Sequence, residues 1–241
     1  MSLKSKSITY IFGANGGIGD ALVKFIAKSE ENTTIYAVSR KGPENYVRLQ
    51  NVHEFAMDYS SPAALASHLS NVEVTSINRI IVASGVLSAV KTGPEKSLLA
   101  LSTDELIENY RINTIIPAII FKYFHKLLAV SDSPVFAALS ARLGSISDNK
   151  LGGWYSYRMS KAALNMFIKT ASIEFSRIAK RGVVIGLHPG TVNTPFSERY
   201  LKNREAFTPE EAAQNLATVL KNLTPDDSGK CFAYDARVID P

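Results

Sequence analysis

The sequence predicts an α/β chain built on a doubly wound, parallel seven-stranded sheet with helices on both faces. Three observations carry this prediction. Seven short apolar runs of strand length alternate with stretches of helical periodicity. A glycine cluster stands directly between the first run and the first helical pattern. No linker, fixed-period repeat or low-complexity tract interrupts the alternation. Strands that alternate with helices pair in parallel through right-handed crossovers, which buries the sheet on both faces.

Ile8–Phe12 reads as the first buried strand, and after the glycines Ala21, Leu22, Phe25 and Ile26 recur at helical spacing. Further strands are expected at Thr34–Val38, Val52–Phe55, Arg79–Ala83, Pro134–Leu139, Val183–Leu187 and Lys230–Tyr234. Helical stretches fall between them, over 61–71, 102–129, 153–180 and 209–222. At 241 residues the default is one compact domain over 1–241. Ligands of such a sheet enter the crevice at the carboxyl ends of the strands, so functional residues are sought just after strands.

Lys and Arg number 27 against 22 Asp and Glu, a formal charge of +5. That excess suits an anionic partner: nucleic acid, a membrane surface or a phosphorylated cofactor. The cations are scattered, with no run of five or six, which favours a mildly basic solvated surface over nucleic-acid or membrane binding. A cofactor with several phosphates accounts for part of the excess. Cys231 is the only cysteine, so it forms no internal disulfide, and neither Lys230 nor Phe232 beside it is a metal ligand. A buried strand cysteine and no metal site are the expectation. Met1 to Ser7 is polar without an apolar signal core, and no apolar run approaches the about 18 residues of a membrane span. A cytoplasmic protein is expected.

The turn reads Gly13-Ala14-Asn15-Gly16-Gly17-Ile18-Gly19. Glycines permit a tight turn and let backbone N–H groups approach a pyrophosphate, while the helix N-terminus adds about half a positive charge. Such turns also serve as plain connectors or as S-adenosylmethionine sites, but the strand-turn-helix context favours a dinucleotide in a Rossmann-type fold. At the end of the second strand, Ser39-Arg40 stands where an NAD-selective site carries an acidic residue. A guanidinium pairs with a 2′-phosphate that a carboxylate would repel, so NADP(H) is favoured over NAD(H); a surface arginine is the plainer alternative.

Of ten tyrosines, only Tyr157 is followed four residues on by a lysine, Lys161, which one helical turn places on the same face. Proton exchange with a substrate oxygen calls for a phenol brought down from about 10 by roughly three units. An ammonium at about 4 Å in a medium of dielectric about 20 supplies that much. Alone, such a pair arises often by chance on solvated helices.

The glycine spacing and the Tyr157/Lys161 pair together resemble the short-chain dehydrogenase/reductase family, whose usual turn is T-G-x-x-x-G-I-G, with Phe12 here in place of the Thr. The resemblance runs from Gly13 to the turn Asp227-Ser228-Gly229-Lys230. It implies hydride exchange between NADP(H) and a small carbonyl or alcohol. It implies that Lys161 also holds the nicotinamide ribose, and that Asn113 in Arg111-Ile112-Asn113-Thr114 helps hold the lysine's proton-relay water. Asp58, in Met57-Asp58-Tyr59, matches the family's aspartate near the adenine amino group, and Ala83-Ser84-Gly85 stands where the family has N-A-G. Pro189-Gly190-Thr191-Val192-Asn193-Thr194 matches P-G-x-V-x-T, which implies that the Val192 backbone and the Thr194 hydroxyl hold the carboxamide. His188 before it is a variable, structural position.

The family places a substrate-orienting serine three residues before the glycine corresponding to Gly144, and Ala141 occupies that position here. Ser140 can replace it only if the strand end twists, because successive strand residues face opposite ways; Ser145 is the other candidate. The stretches Leu139–Ile146 and Gly152–Tyr157 look like the C-factor and sniffer-type carbonyl reductase group. Two further readings stay open: a C-factor-like signalling or sensing protein with weak turnover, motivated by Ala141, and a methyltransferase, which leaves Arg40 and Tyr157/Lys161 unexplained. Apolar faces on Ile115–Phe124 and Ala162–Ile173 suit a core or, by the resemblance, a homodimer or homotetramer. Pro195–Phe207, with Arg199, Lys202 and Arg204, is short and polar and predicts an open substrate pocket.

Overall fold

The computed structural model describes residues 7–42, 46, 48–89, 93–195, 197–201 and 205–241. Its strands are β1 (Ser7–Phe12), β2 (Thr33–Ser39), β3 (Val52–Ala56), β4 (Arg79–Val82), β5 (Val135–Leu139), β6 (Val183–His188), β7 (Cys231–Ala233) and β8 (Val238–Ile239). The helices are α1 (Gly17–Ser29), α2 (Pro62–Asn71), α3 (Thr103–Tyr110), α4 (Ile116–Ala129), α5 (Tyr155–Phe175), α6 (Glu198–Leu201) and α7 (Pro209–Lys221). One sheet holds all eight strands in the order β3-β2-β1-β4-β5-β6-β7-β8. β1 to β7 pair in parallel.

The eighth strand corrects the expected count of seven. Val238–Ile239 turns back antiparallel on Cys231–Ala233, through a turn that places Ala236 at φ 63°. Two residues are too few to carry a periodicity, so nothing in the sequence marks them.

The strands form because their apolar residues are buried on both faces. One face buries Tyr10, Phe12, Ile80, Val82 and Phe136 against α2, α4 and α5. The other buries Ile11, Ile35, Ile81 and Ile185 against α1 and α7. Phe12, in place of a hydroxyl residue, sets its ring edge-on to Phe124 at 5.4 Å and to Tyr59 at 5.8 Å.

Helix starts follow local chemistry. Ser61 caps α2 through Ala64 N–H, with Pro62 opening the helix; Ser102 caps α3 through Glu105 N–H; Thr208 and Glu211 form a reciprocal capping box at α7. The helical stretch expected over 102–129 is present but interrupted by a π turn at Arg111–Ile115. The order in which strands are added to the sheet reverses between the parallel neighbours β1 and β4, and the crevice above their carboxyl ends is the topological switch point.

Candidate active site

Two adjoining cavities of about 600 Å³ and 330 Å³ open at this switch point. Both are lined by Asn15, Gly16, Ala83, Ser84 and Gly85, so they form one crevice with two ends.

The glycine turn makes the middle of it. Gly13 stands at φ +84°, and a side chain there would come within 2.8 Å of Ser84 N. A side chain on Gly19 would run into the Gly13 carbonyl. Gly13 therefore lets the turn close on the loop after β4, and Gly19 lets α1 close on the turn. Gly16, the exposed N-cap of α1, has no capping side chain. The first-turn N–H groups of Gly17, Ile18 and Gly19 lack a preceding helical carbonyl. With Gly17 and Ile18 lining the cavity, this is a donor set that fits a pyrophosphate. Tyr46 braces the turn from behind, its hydroxyl donating to Ala14 O at 2.8 Å.

At the larger end, Ser39 is buried at the tip of β2 and its hydroxyl donates to Gly42 O at 3.3 Å. Asn15 Nδ2 donates to the same carbonyl at 3.1 Å. Arg40 is exposed and lines the cavity with Lys41 and Tyr59. Asp58 Oδ1 accepts from the Ser60 hydroxyl at 2.6 Å and Ser60 N–H at 3.1 Å. These bonds, with smaller contributions from Arg40 and Arg111, hold its carboxyl below the usual range. Burial pushes the Tyr59 phenol up, partly offset by Arg40.

At the smaller end stand Tyr157, Lys161, Ser140, Pro189 and Thr194. Lys161 Nζ donates to Leu139 O at 2.7 Å and lies 5.8 Å from the centre of the Tyr157 ring. The electrostatic expectation is reversed in this fold. Burial is the dominant effect on both groups: it pushes the Tyr157 phenol up and brings the Lys161 ammonium down to about 7.

Asn113 is fully buried in the π turn and uses both ends of its amide. Its Oδ1 accepts from Val86 N–H at 2.9 Å, and its Nδ2 donates to Val86 O at 2.8 Å, Ser160 Oγ at 3.0 Å and Asn109 Oδ1 at 3.2 Å. A side chain on Gly85 would approach Asn113 Oδ1 to 3.2 Å and Lys161 Nζ to 3.6 Å, so the loop after β4 passes close to both groups. π turns are frequent where a helix is bent to serve a site.

Ser140 Oγ donates to Asn165 Oδ1 at 2.6 Å, one turn beyond Lys161. Ala141 is buried in one apolar cluster with Leu87 and Tyr157, so a methyl group stands near the tyrosine where a hydroxyl was sought. Ser145 is buried, and its hydroxyl accepts from Asp148 N–H at 3.1 Å within its own turn.

Thr194 closes the crevice: its methyl packs where a side chain on Gly17 would stand, and its N–H donates to Ser197 Oγ at 3.2 Å. Gly190, at φ +81°, lies against the rings of Phe207 and Tyr234. Val192 is buried and its segment bridges to Phe207. His188 is largely buried, and burial brings its imidazole down to about 4. Of the expected substrate-covering segment, Lys202, Arg204 and the side chain of Arg199 lie outside the described residues.

Sequence reasoning missed Asn109, Asn165 and Glu95. Asn109 lies four residues before Asn113 and Asn165 four after Lys161, a spacing that marks a shared helix face. Glu95 carries no local signal. Among the described residues there is no cluster of His, Cys, Asp or Glu able to hold a metal, and no helix long and apolar enough to cross a membrane.

The short chain dehydrogenase family model matches residues 7–205. An uncharacterized oxidoreductase of Schizosaccharomyces pombe is 29% identical over 98% of each chain. Among solved structures, the NADPH-bound carbonyl reductase from chicken fatty liver superposes with a TM-score of 0.85 at 24% identity, covering 100% of this chain and 96% of that one. The carbonyl reductase Sniffer of D. melanogaster superposes with a TM-score of 0.82 at 21% identity, covering 98% of this chain and 99% of that one. The residues matched by the family model include the glycine turn, the crevice lining and the Tyr157/Lys161 pair, and the chain belongs to the short chain dehydrogenase family of nicotinamide-dependent oxidoreductases.

Proposed function

We propose that the chain is an NADP(H)-dependent carbonyl reductase that works as one dinucleotide-binding domain over residues 1–241, in the cytoplasm. The observation that carries this reading is the single crevice with Ser39 and Arg40 at one end and Tyr157 and Lys161 at the other, joined by the glycine turn. Gly13, Asn15, Gly16, Gly17, Ile18 and Gly19 would hold the pyrophosphate. Asp58 and Tyr59 would border the adenine, and Pro189, Gly190, Val192 and Thr194 the carboxamide. Arg40, exposed beside the cavity, supports a 2′-phosphate over a free hydroxyl.

When bound, the nicotinamide supplies the hydride for the carbonyl carbon. Tyr157 gives its proton to the carbonyl oxygen, and a phenol kept neutral by burial is suited to that task. Lys161, titrating near neutrality, steadies the phenolate left behind and passes a proton back. Asn113 ties Lys161's helix to the loop after β4 through Ser160 and Val86. Ser140 supports α5 through Asn165. The test is NADPH oxidation by purified protein given reactive ketones, quinones and aldehydes; failure to bind NADPH would overturn the reading.

Ala141 favours a second reading, an NADP(H)-binding signalling or sensor protein with weak turnover, because the methyl beside Tyr157 offers no hydrogen bond to a substrate oxygen. Normal function of Tyr157→Phe in cells would support it. For assembly, a homodimer or homotetramer is proposed through α3, the π turn that follows it and α5, which expose Ile107, Ile115, Met159, Met166 and Ile173. A monomeric mass by light scattering would exclude it.

A further inference from the structure

Helix α5 carries Tyr157 in its first turn, so the point at which the helix starts decides where the phenol stands. That start has no cap of its own. Its N-cap residue, Trp154, makes no side-chain capping bond and sits at φ 54° and ψ 46°. Gly152 and Gly153 before it are left-handed as well. Two glycines adopt this region freely, whereas a tryptophan holds it only when its surroundings impose it.

The imposing residue comes from the loop after β4. Glu95 is buried at 4% exposure. Its carbonyl accepts from Trp154 N–H at 2.5 Å. Its carboxylate accepts from Ser156 N–H at 3.3 Å and, in a short contact, from the Ser156 hydroxyl. Arg158 grips the other side, with Nε donating to Gly153 O at 3.0 Å and Nη1 to Leu143 O at 3.4 Å. An acidic group at this place meets first-turn N–H groups and the positive end of the helix dipole, the part a local Ser or Asp normally plays. Glu95 lines neither cavity, so it acts through the helix.

We propose that Glu95 is a positioning residue for Tyr157: it caps α5 from a loop 61 residues earlier and so fixes the phenol against Lys161 and the crevice. The inference rests on the redox reading of Tyr157 given above. In the full chain, Glu95→Ala is expected to lower kcat by about 10- to 100-fold, with the NADPH dissociation constant unchanged. Glu95→Gln, which keeps an acceptor for Ser156, restores most of the rate. Ser156→Ala removes only the partner hydroxyl, carries the same expectation at smaller amplitude, and serves if Glu95→Ala is insoluble.

Trp154 is the only tryptophan, so its fluorescence reports the start of α5 without any turnover. Glu95→Ala is expected to red-shift its emission and open it to quenchers, and Glu95→Gln is not. A wild-type chain inactive on every carbonyl, with that Trp154 response intact, would overturn the redox reading and uphold the cap. Unchanged kcat together with unchanged Trp154 emission in Glu95→Ala would overturn the cap. A loss of kcat matched by an equal loss of NADPH affinity would overturn it too, as the mark of general unfolding.

Discussion

The two ends of the crevice are built by opposite means. The proposed phosphate cradle is a run of seven residues, Gly13 to Gly19, whose shape comes from absent side chains and which exposes the N–H groups of one helix start. The proposed catalytic end depends on contacts between distant segments: Asn113 is held by Val86 and Ser160, Lys161 by the Leu139 carbonyl, the start of α5 by Glu95. A backbone cradle can stand open to solvent, as Asn15 and Gly16 do. An acid–base pair works by burial, so its protonation belongs to its surroundings as much as to itself.

If the ends are separate devices, they break separately. The largest effect is expected for Tyr157→Phe, which should lower kcat by about 10²- to 10⁴-fold with NADPH affinity intact; initial rates beside a binding titration check this, and a parallel loss of affinity would join the two ends. Next, Ala141→Ser returns a hydroxyl beside Tyr157 and is expected to raise kcat by up to about 10²-fold. No gain would mean that the methyl is not what limits the site. At the other end, Arg40→Ala should weaken NADPH binding by about 10-fold while sparing NADH and kcat. Equal weakening of both dinucleotides would make Arg40 a plain surface charge.

The most gradual effect concerns stability. Lys161 titrates at about 7 in the fold against 10.5 ordinarily, so between these values the unfolded chain binds more protons than the native one. Stability of the ligand-free protein should therefore rise with pH across that window, by up to about 1.4 kcal/mol per pH unit. Denaturant titrations at pH 7, 8 and 9 would follow it. Lys161→Met should flatten the slope, and a slope that survives the substitution would assign it elsewhere.

Much of the fold was legible. Strands buried on both faces read as plain apolar runs, and β1 to β7 fall within a residue or so of their expected places. The caps of α2, α3 and α7 are local spellings: Ser61-Pro62, Ser102 with Glu105, Thr208-Pro209 with Glu211. Helix α5 was less legible. It starts at Tyr155 because two glycines and Trp154 turn left-handed before it, held by a residue with no place in any local motif. β8 was too short to announce itself. The Ser140 side chain needed the finished strand end, where its partner proved to be Asn165.

The order of elements, the glycine turn, Arg40 after β2 and the four-residue step from Tyr157 to Lys161 are properties of the sequence alone. Each depends on contacts within a few residues, and local geometry suffices to read them. Only the tertiary structure decided that Tyr157 is pushed up and Lys161 brought down, that Ala141 joins the apolar cluster of Tyr157, and that Glu95 bonds to the start of α5. Burial and hydrogen bonding across long chain separations arise when the sheet and its loops close, and no spacing along the sequence encodes them.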